Sequence, residues 1–338
     1  MPRKARIDAP GALHHIIVRG IERKAIFRDA IDYSNILDRL NTVLTDTYTP
    51  CFAWALMRNH FHLLIRTGHV PISTVMRRLL TGYAQQFNRR HQRHGPLFQN
   101  RFKSILCEHD LYFLELVRYI HLNPLRAGIV KDLTALKSYP YSGHGVVMGE
   151  MNYAWQKVDT ILKMFAHKVG IARRSYAAFV AKGVELGRRP ELTGGGLVRS
   201  VGGWSAFKAL RSKSQRIMGD ERILGSSDFV ETVLKQANED YEYRTLAKAK
   251  GLTMDHIISK VSEHFDIQPE FIKGNVKQRT MSRARSIVCW LAVDKLGKSG
   301  RQVAQGIGMS PSAVSKALIR GRSDTRSESI WMEILKAE

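Results

Sequence analysis

The chain has 338 residues, 44% of them hydrophobic, which suffices for two or three domains with real cores. Its 53 Lys and Arg against 30 Asp and Glu leave a net charge of +23, so the expected partner is a polyanion, nucleic acid first and an anionic membrane second. No apolar run approaches the roughly 18 residues of a membrane span. The opening MPRKARIDAPG is basic but lacks the apolar stretch and cleavage site of a signal peptide, and a cytoplasmic location is expected. Cys51, Cys107 and Cys289 are isolated and odd in number, which argues against a disulfide framework and a CxxC zinc module.

In chain order, ALHHIIVR (12–19) reads as a strand and 29–46 as a helix. CFAWALM (51–57) and HFHLLIR (60–66) read as strands joined by a tight Arg58–Asn59 hairpin. In 72–90, Ile72, Val75, Met76, Leu79, Leu80, Tyr83 and Phe87 keep helical spacing. RFKSILC (101–107) follows as a strand, then a helix of about 110–122 that should end before Pro124. Helices mixed with strands and a hairpin predict an α+β sandwich with an antiparallel sheet. Beyond about residue 145 the pattern is almost wholly helical. ELTGGGLVRSVGGW (191–204) reads as a loop, since it has neither the GK[ST] ending of a P-loop nor GxGxxG spacing.

Near the end, GRQVAQGIGMSPSAVSKALIRGR (300–322) reads as helix–turn–helix. Gly308 makes the turn, Ser310 and Pro311 start the second helix, and Ser312, Ser315 and Lys316 point outward from it. The expected domains are 1–145, a helical linker region 146–235 of unassigned role, and a DNA-binding domain 236–338.

Between Thr47 and Cys107 there is no Asp or Glu, while Arg58, Arg66, Arg77, Arg78, Arg89, Arg90, Arg93, Arg101 and Lys103 fall in that span. One sign of charge over sixty residues predicts an anion-binding face. Arg77, Arg78, Arg89, Arg90 and Arg93 would track phosphates there; Phe98 and Tyr83 are candidates to stack a base, with a place in the apolar core as the favoured reading of both.

Inside this span sits MRNHFHLLI (57–65). The side-chain period of a strand puts His60 and His62 on one face, where two imidazoles can clamp a divalent ion such as Zn, Mn, Ni or Co, or Mg with oxygen ligands added. A surface or hydrogen-bonded pair is the alternative. Of the tyrosines on the later helices, Tyr83 and Tyr112 meet Phe87 and Leu116 one turn on, whereas Tyr119 meets Asn123. Tyr119 is therefore the candidate nucleophile and Asn123 a third metal-side group. A half-buried aromatic with a helix-capping Asn is the other reading.

MRNHFHLLI resembles the histidine–hydrophobe–histidine motif of the HUH single-strand transposases. GPLFQNRFKSI and LVRYIHLNPLRAGIV, in that order, are similar to the signature blocks of the REP-associated tyrosine transposases, and HHIIVRGIERKAIF fits as well. The resemblance covers roughly residues 5–145. It implies a ferredoxin-like antiparallel sheet and a Mg²⁺- or Mn²⁺-dependent single-strand DNA nuclease and strand transferase, monomeric or homodimeric, acting on hairpin-type repeats. It also implies that His60, His62 and Asn123 serve the metal and Tyr119 becomes a 5′-phosphotyrosine. The stretch from MDHIISKV to SPSAV is similar to the duplex-binding domain of the replication initiator DnaA. RTMSRARSIVCWLA stands at that domain's basic helix, which makes Arg279, Arg283 and Arg285 expected phosphate contacts; MSPSAVSKA departs from its recognition signature, so the target sequence does not transfer. The competing function is a DNA-binding regulator with an inactive nuclease-like domain, and an RNA-directed protein would share the charge.

Overall fold

Strand β1 (Leu13–Arg19) lies at the centre of the sheet, flanked by β3 (His60–Arg66) and β4 (Lys103–Cys107), both antiparallel to it. Between them come helix α1 (Ala30–Asp46), strand β2 (Cys51–Met57) and helix α2 (Ile72–Arg90), with β2 pairing β3 through the two-residue Arg58–Asn59 turn. The βαββαβ order with strands arranged β2-β3-β1-β4 is the ferredoxin-like topology. The computed structural model describes residues 7–8, 11–68, 70–187, 189–193, 220, 222–274 and 278–336. They fall into two units, Met1–Val233 and Leu234–Glu338.

Alternation along the strands sorts side chains to two cores. Ile16, Val18, Trp54, Leu56, Phe61, Leu63 and Ile65 meet the apolar stripes of α1 and α2 on one face, represented by Ile36, Leu40, Val75, Leu79 and Phe87. The opposite face, with Ala53, Ala55, Leu64 and Ile105, is covered by Phe113, Leu116, Val117 and Ile120 of helix α3 (His109–Arg126).

Three features differ from the expectation. The sheet is mixed: β5 (Ile223–Leu224) adds a parallel strand to β4, giving the open backbone of Leu106 and Glu108 carbonyl partners at 2.8 Å each. Helix α3 runs through Pro124 to Arg126. The N–H that proline lacks falls in the last turn, so a single helical hydrogen bond is lost, and the Asn123 and Pro124 carbonyls at the helix end accept from the Ala127 and Ile129 amides at 2.8 and 2.9 Å. Residues 146–182, expected as the start of a separate helical region, complete the second core. Val147, Ile161, Leu162, Tyr176 and Val180 are buried there, while Val146 and Trp155 join the first core, where Trp54 Nε1 donates to Gln156 Oε1 at 2.7 Å. The elements concerned are the end of α5 (Gly143–Met148), α6 (Val158–Leu162) and α7 (Val169–Lys182), preceded by α4 (Leu133–Ser138). Of the glycine-bearing stretch, Pro190–Thr193 forms a 3₁₀ turn and 194–204 lies outside the described residues.

Helix Ser227–Ala249 leads into the second unit, whose own core holds Ile257, Val261, Ile287, Val288, Val303, Ile307, Val314, Leu318 and Trp331. The helix–turn–helix is formed by Gly300–Ile307 and Pro311–Arg322. Gly308 turns between them at φ 68°, a backbone setting that other residues adopt only with strain, and Ser310 Oγ accepts from the Ala313 amide at 3.2 Å as the N-cap. No helix among the described residues is long and apolar enough to cross a membrane.

Behind α3, the Tyr176 hydroxyl bridges His121 Nδ1 at 2.7 Å and His144 Nδ1 at 2.9 Å, all three side chains being buried. Burial holds both imidazoles neutral, pushing His144 down to about 4 and His121 well below its ordinary value, while the phenol is driven up. Below the unfolded-state value of about 6.5 the unfolded chain binds protons that the folded one refuses. Stability is therefore full above that pH and falls as pH drops toward 4. Urea midpoints should decline from pH 7 to pH 4.5, and His144→Gln should flatten that decline.

Candidate active site and nucleic-acid interface

Register decides where the histidines go. Arg19 of β1 pairs with His60 and Ile17 with His62, so these residues share the face that α3 covers, at the sheet end where β1 stops. One turn apart on α3, Tyr119 and Asn123 reach the same place. Ile17, Arg19, His60, His62, Tyr119 and Asn123 line one cleft of about 410 Å³. Its far wall is the segment Phe98–Lys103. The Leu97 carbonyl accepts from the Ile21 amide at 3.0 Å and the Gln99 amide donates to the Arg19 carbonyl at 2.8 Å, which fastens this segment to the end of β1. Gly20 sits at that junction, where any Cβ would run into the Lys24 carbonyl.

The ring of His60 stands 5.4 Å from that of His62, and Tyr119 presents its ring edge-on to His62 at 6.0 Å. Burial lowers His62 far below its ordinary value and, with the Arg19 charge, brings His60 to about 4. Both imidazoles are neutral at physiological pH, the form that ligates a cation. Asn123 Nδ2 donates to the Tyr119 carbonyl at 3.1 Å, which fixes the amide and leaves Oδ1 as an acceptor. His60 Nδ1 lies 2.7 Å from Asn59 Oδ1, and Asn59 Nδ2 donates to the Arg23 carbonyl at 3.0 Å. The amide is thereby oriented, His60 Nδ1 must be the donor, and His60 Nε2 keeps its lone pair. Two neutral imidazoles and an amide oxygen suit Mn²⁺, or Mg²⁺ with waters completing its shell.

The described residues contain one cluster of three His and Asp ligand atoms within 4.8 Å of one another, from Asp29, Asp32 and His91. A cation already fills it: the Arg90 guanidinium lies 2.6 Å from Asp29 and 2.7 Å from Asp32. That ion pair joins the start of α1 to the end of α2.

The cationic residues separate into two groups. Arg101 and Lys103 line the cleft, joined by Arg19, which the sequence reading missed although its place opposite His60 follows once β1 and β3 are paired. Arg77 borders an adjoining apolar groove with Phe98 and Arg101, and Arg89 is exposed. Others are occupied structurally. Arg90 holds the Asp29–Asp32 pair, Arg78 pairs with Asp46 at 2.7 Å, and Arg93 bonds Asn88 Oδ1 and the Pro96 carbonyl. Tyr83 takes the favoured core position; it is buried and donates to the Ile26 carbonyl at 2.5 Å. Phe98 is half-buried in the cleft wall.

In the second unit Arg285 departs most from expectation. It is buried, and its guanidinium donates to the Phe271, Ile272 and Gly274 carbonyls, which turns a supposed phosphate contact into a structural tie. Arg283 pairs with Asp324. Arg279, Ser312 and Lys316 are exposed, and half-buried Ser315 donates to the Pro311 carbonyl at 3.1 Å.

A ferredoxin-like sheet with this cleft, followed by a separate helix–turn–helix unit, describes a protein with two DNA-directed modules, and comparison with known families names both. Residues 10–123 match the family described as "Transposase IS200 like", and residues 254–320 match "Bacterial dnaA protein helix-turn-helix". The chain thus carries an IS200-like transposase domain and a DnaA-type helix–turn–helix. The chromosomal replication initiator protein DnaA of Helicobacter hepaticus is 31% identical over 104 residues, 30% of this chain and 23% of that protein, so the chain matches about a quarter of that relative's length. A solved structure of a REP-associated tyrosine transposase bound to a REP hairpin aligns with 46% of this chain and 98% of its own, at 18% identity and a TM-score of 0.38.

The two groups of arginines predict separable effects. Arg19→Ala or Arg101→Ala should weaken binding of a labelled single-stranded oligonucleotide, read by fluorescence anisotropy, and lower the slope of log affinity on log salt by about one. Arg90→Ala should leave that slope unchanged and lower the urea midpoint, because Asp32 would stay buried with less charge to balance it.

Proposed function

We propose that the protein is a metal-dependent single-stranded DNA endonuclease and strand transferase, with Tyr119 as its nucleophile. The observation that carries this reading is the convergence of His60, His62, Tyr119 and Asn123 on one basic cleft. His60 Nε2, His62 Nε2 and Asn123 Oδ1 would hold Mg²⁺ or Mn²⁺. Such a cation polarises a non-bridging phosphate oxygen and offsets charge that builds there.

Each side chain then has a task. Arg19, Arg101 and Lys103 draw the phosphate backbone into the cleft. The Tyr119 hydroxyl, carried on a helix packed against the sheet, attacks phosphorus; its oxygen forms the new O–P bond while the bond to the 3′ oxygen breaks. The phenolic proton passes to solvent and the departing 3′ oxygen takes one from solvent, leaving a 5′-phosphotyrosine and a free 3′-hydroxyl. The phosphotyrosine and the DNA linkage it replaces are both phosphodiesters of similar energy, so the strand can be rejoined to another 3′-hydroxyl without ATP. A single-stranded substrate follows from a single tyrosine that must meet a backbone free to bend, and the signature blocks favour a repeat folded as a hairpin. The helix–turn–helix unit would hold flanking duplex, with Lys316, Ser312 and Arg279 at its surface.

Incubating end-labelled single strands with the protein and Mg²⁺ or Mn²⁺, followed by denaturing electrophoresis, tests the reading. The expected result is a covalent band at the 5′ end, absent from Tyr119→Phe and from chelated samples, and reduced by about 100-fold or more in His60→Ala and His62→Ala. A band that survives in Tyr119→Phe would assign the nucleophile elsewhere. Cleavage with no band would point to attack by water, and absence of both would favour a DNA-binding regulator. For the second unit, Lys316→Ala should reduce duplex affinity and its salt slope by about one while leaving single-strand cleavage unchanged.

A further inference from the structure

Behind the cleft, on the same face of β1, lies a third histidine. His15 is fully buried, its ring stacked on His62 at 5.1 Å between centroids and edge-on to Tyr119 at 5.9 Å. Its Nε2 is 2.8 Å from His62 Nδ1, and its Nδ1 is 3.1 Å from the backbone carbonyl of Leu192.

This chain of contacts fixes its own protons. A carbonyl oxygen can only accept, so His15 Nδ1 is the donor to Leu192. A neutral imidazole carries one N–H, so His15 Nε2 has a lone pair and accepts from His62 Nδ1–H. The hydrogen of His62 is thereby held on the side away from the cleft, and its Nε2 is left as a lone pair. Asn59 performs the corresponding service for His60, but from the neighbouring residue; the His62 relay is anchored far along the chain. Leu192 belongs to the Pro190–Thr193 turn, outside the span 10–123 that matches the transposase family, and Thr193 lines the cleft itself.

We propose that His15 is a positioning residue that holds His62 in the Nδ1–H tautomer, and that the Leu192 carbonyl sets this relay, making the Pro190–Thr193 turn a working part of the active site. The metal consequence rests on the function proposed above; the tautomer does not. An imidazole whose remote nitrogen is hydrogen-bonded is oriented and made more basic as a ligand, and loss of such a partner costs about 10- to 100-fold in metal affinity. A phenylalanine at position 15 fills the ring's space and removes both hydrogen bonds. A glutamine can accept from His62 through its amide oxygen and donate to Leu192 through its amide nitrogen.

The test uses the full-length protein at pH 7.5. Long-range ¹⁵N–¹H spectra of the metal-free wild type should show both His15 and His62 as Nδ1–H tautomers, and His15→Phe should shift His62 toward the Nε2–H form. Mn²⁺ affinity, followed by electron paramagnetic resonance, should fall 10- to 100-fold in His15→Phe and recover most of that loss in His15→Gln. Single-strand binding without metal should be unchanged in both. An Nε2–H signal for His62 in the wild type overturns the proposal, as does a folded His15→Phe protein with wild-type Mn²⁺ affinity. Should His15→Phe fail to fold, the wild-type spectrum and His15→Gln still decide. Should the wild type bind no Mn²⁺ that His62→Ala removes, the metal reading fails, and the spectrum alone judges the relay.

Discussion

The pairing of β1 with β3 is the constraint from which the candidate site follows. Ile17 opposite His62 and Arg19 opposite His60 put a cation and two imidazoles side by side where β1 ends. A slip of one residue would send them to the face packed by α1 and α2 and bring Phe61 and Leu63 into the cleft. Two features hold the register. Arg58–Asn59 allows a single pairing of β2 with β3, and Phe61, Leu63 and Ile65 must reach the apolar layer beneath them. The same burial that stabilises the sheet thus orients the imidazoles.

A polar pair in an apolar run is tolerable because it lies where the covering helix stops being apolar. Phe113, Leu116, Val117 and Ile120 seal the second face along most of α3, and Tyr119 and Asn123 occupy its cleft-facing side in the last turns. Burial keeps the imidazoles uncharged, and hydrogen bonds on their inner nitrogens satisfy those atoms. Packing and chemistry are consistent here: a neutral, hydrogen-bonded histidine is acceptable to a core and is also the form a cation requires.

The strands and long helices were legible in the sequence because alternation and helical spacing are strong over such lengths. β2 and β3 begin and end where the pattern places them, as does the second helix of the helix–turn–helix, announced by Ser310 and Pro311. The short β5, the passage of α3 through Pro124 and the inclusion of 146–182 in the N-terminal core were not legible, since each depends on contacts between residues far apart in the chain. Charge was legible only as a sum. The acid-free run announces a basic region but cannot show that Arg90 reaches back to Asp29 and Asp32, or that Arg78 meets Asp46, because those acids precede the run. His15 was hidden for a similar reason: ALHHIIVR looks like an ordinary strand until its partner strand is known.

Combining a single-strand cleft with a duplex-binding unit in one chain has an energetic logic under the proposed function. A cleft of about 410 Å³ meets few nucleotides, and cationic contacts such as those of Arg19, Arg101 and Lys103 weaken quickly as salt rises. Attachment of a second module to flanking duplex turns the encounter of cleft and single strand into an intramolecular event, raising the effective concentration of substrate without any new contact in the cleft. Selection of the DNA and selection of the scissile phosphate can then reside in different units. The recognition helix, with its MSPSAVSKA sequence, is free to diverge from that of the replication initiator, while the geometry of His60, His62, Tyr119 and Asn123 is held by the sheet.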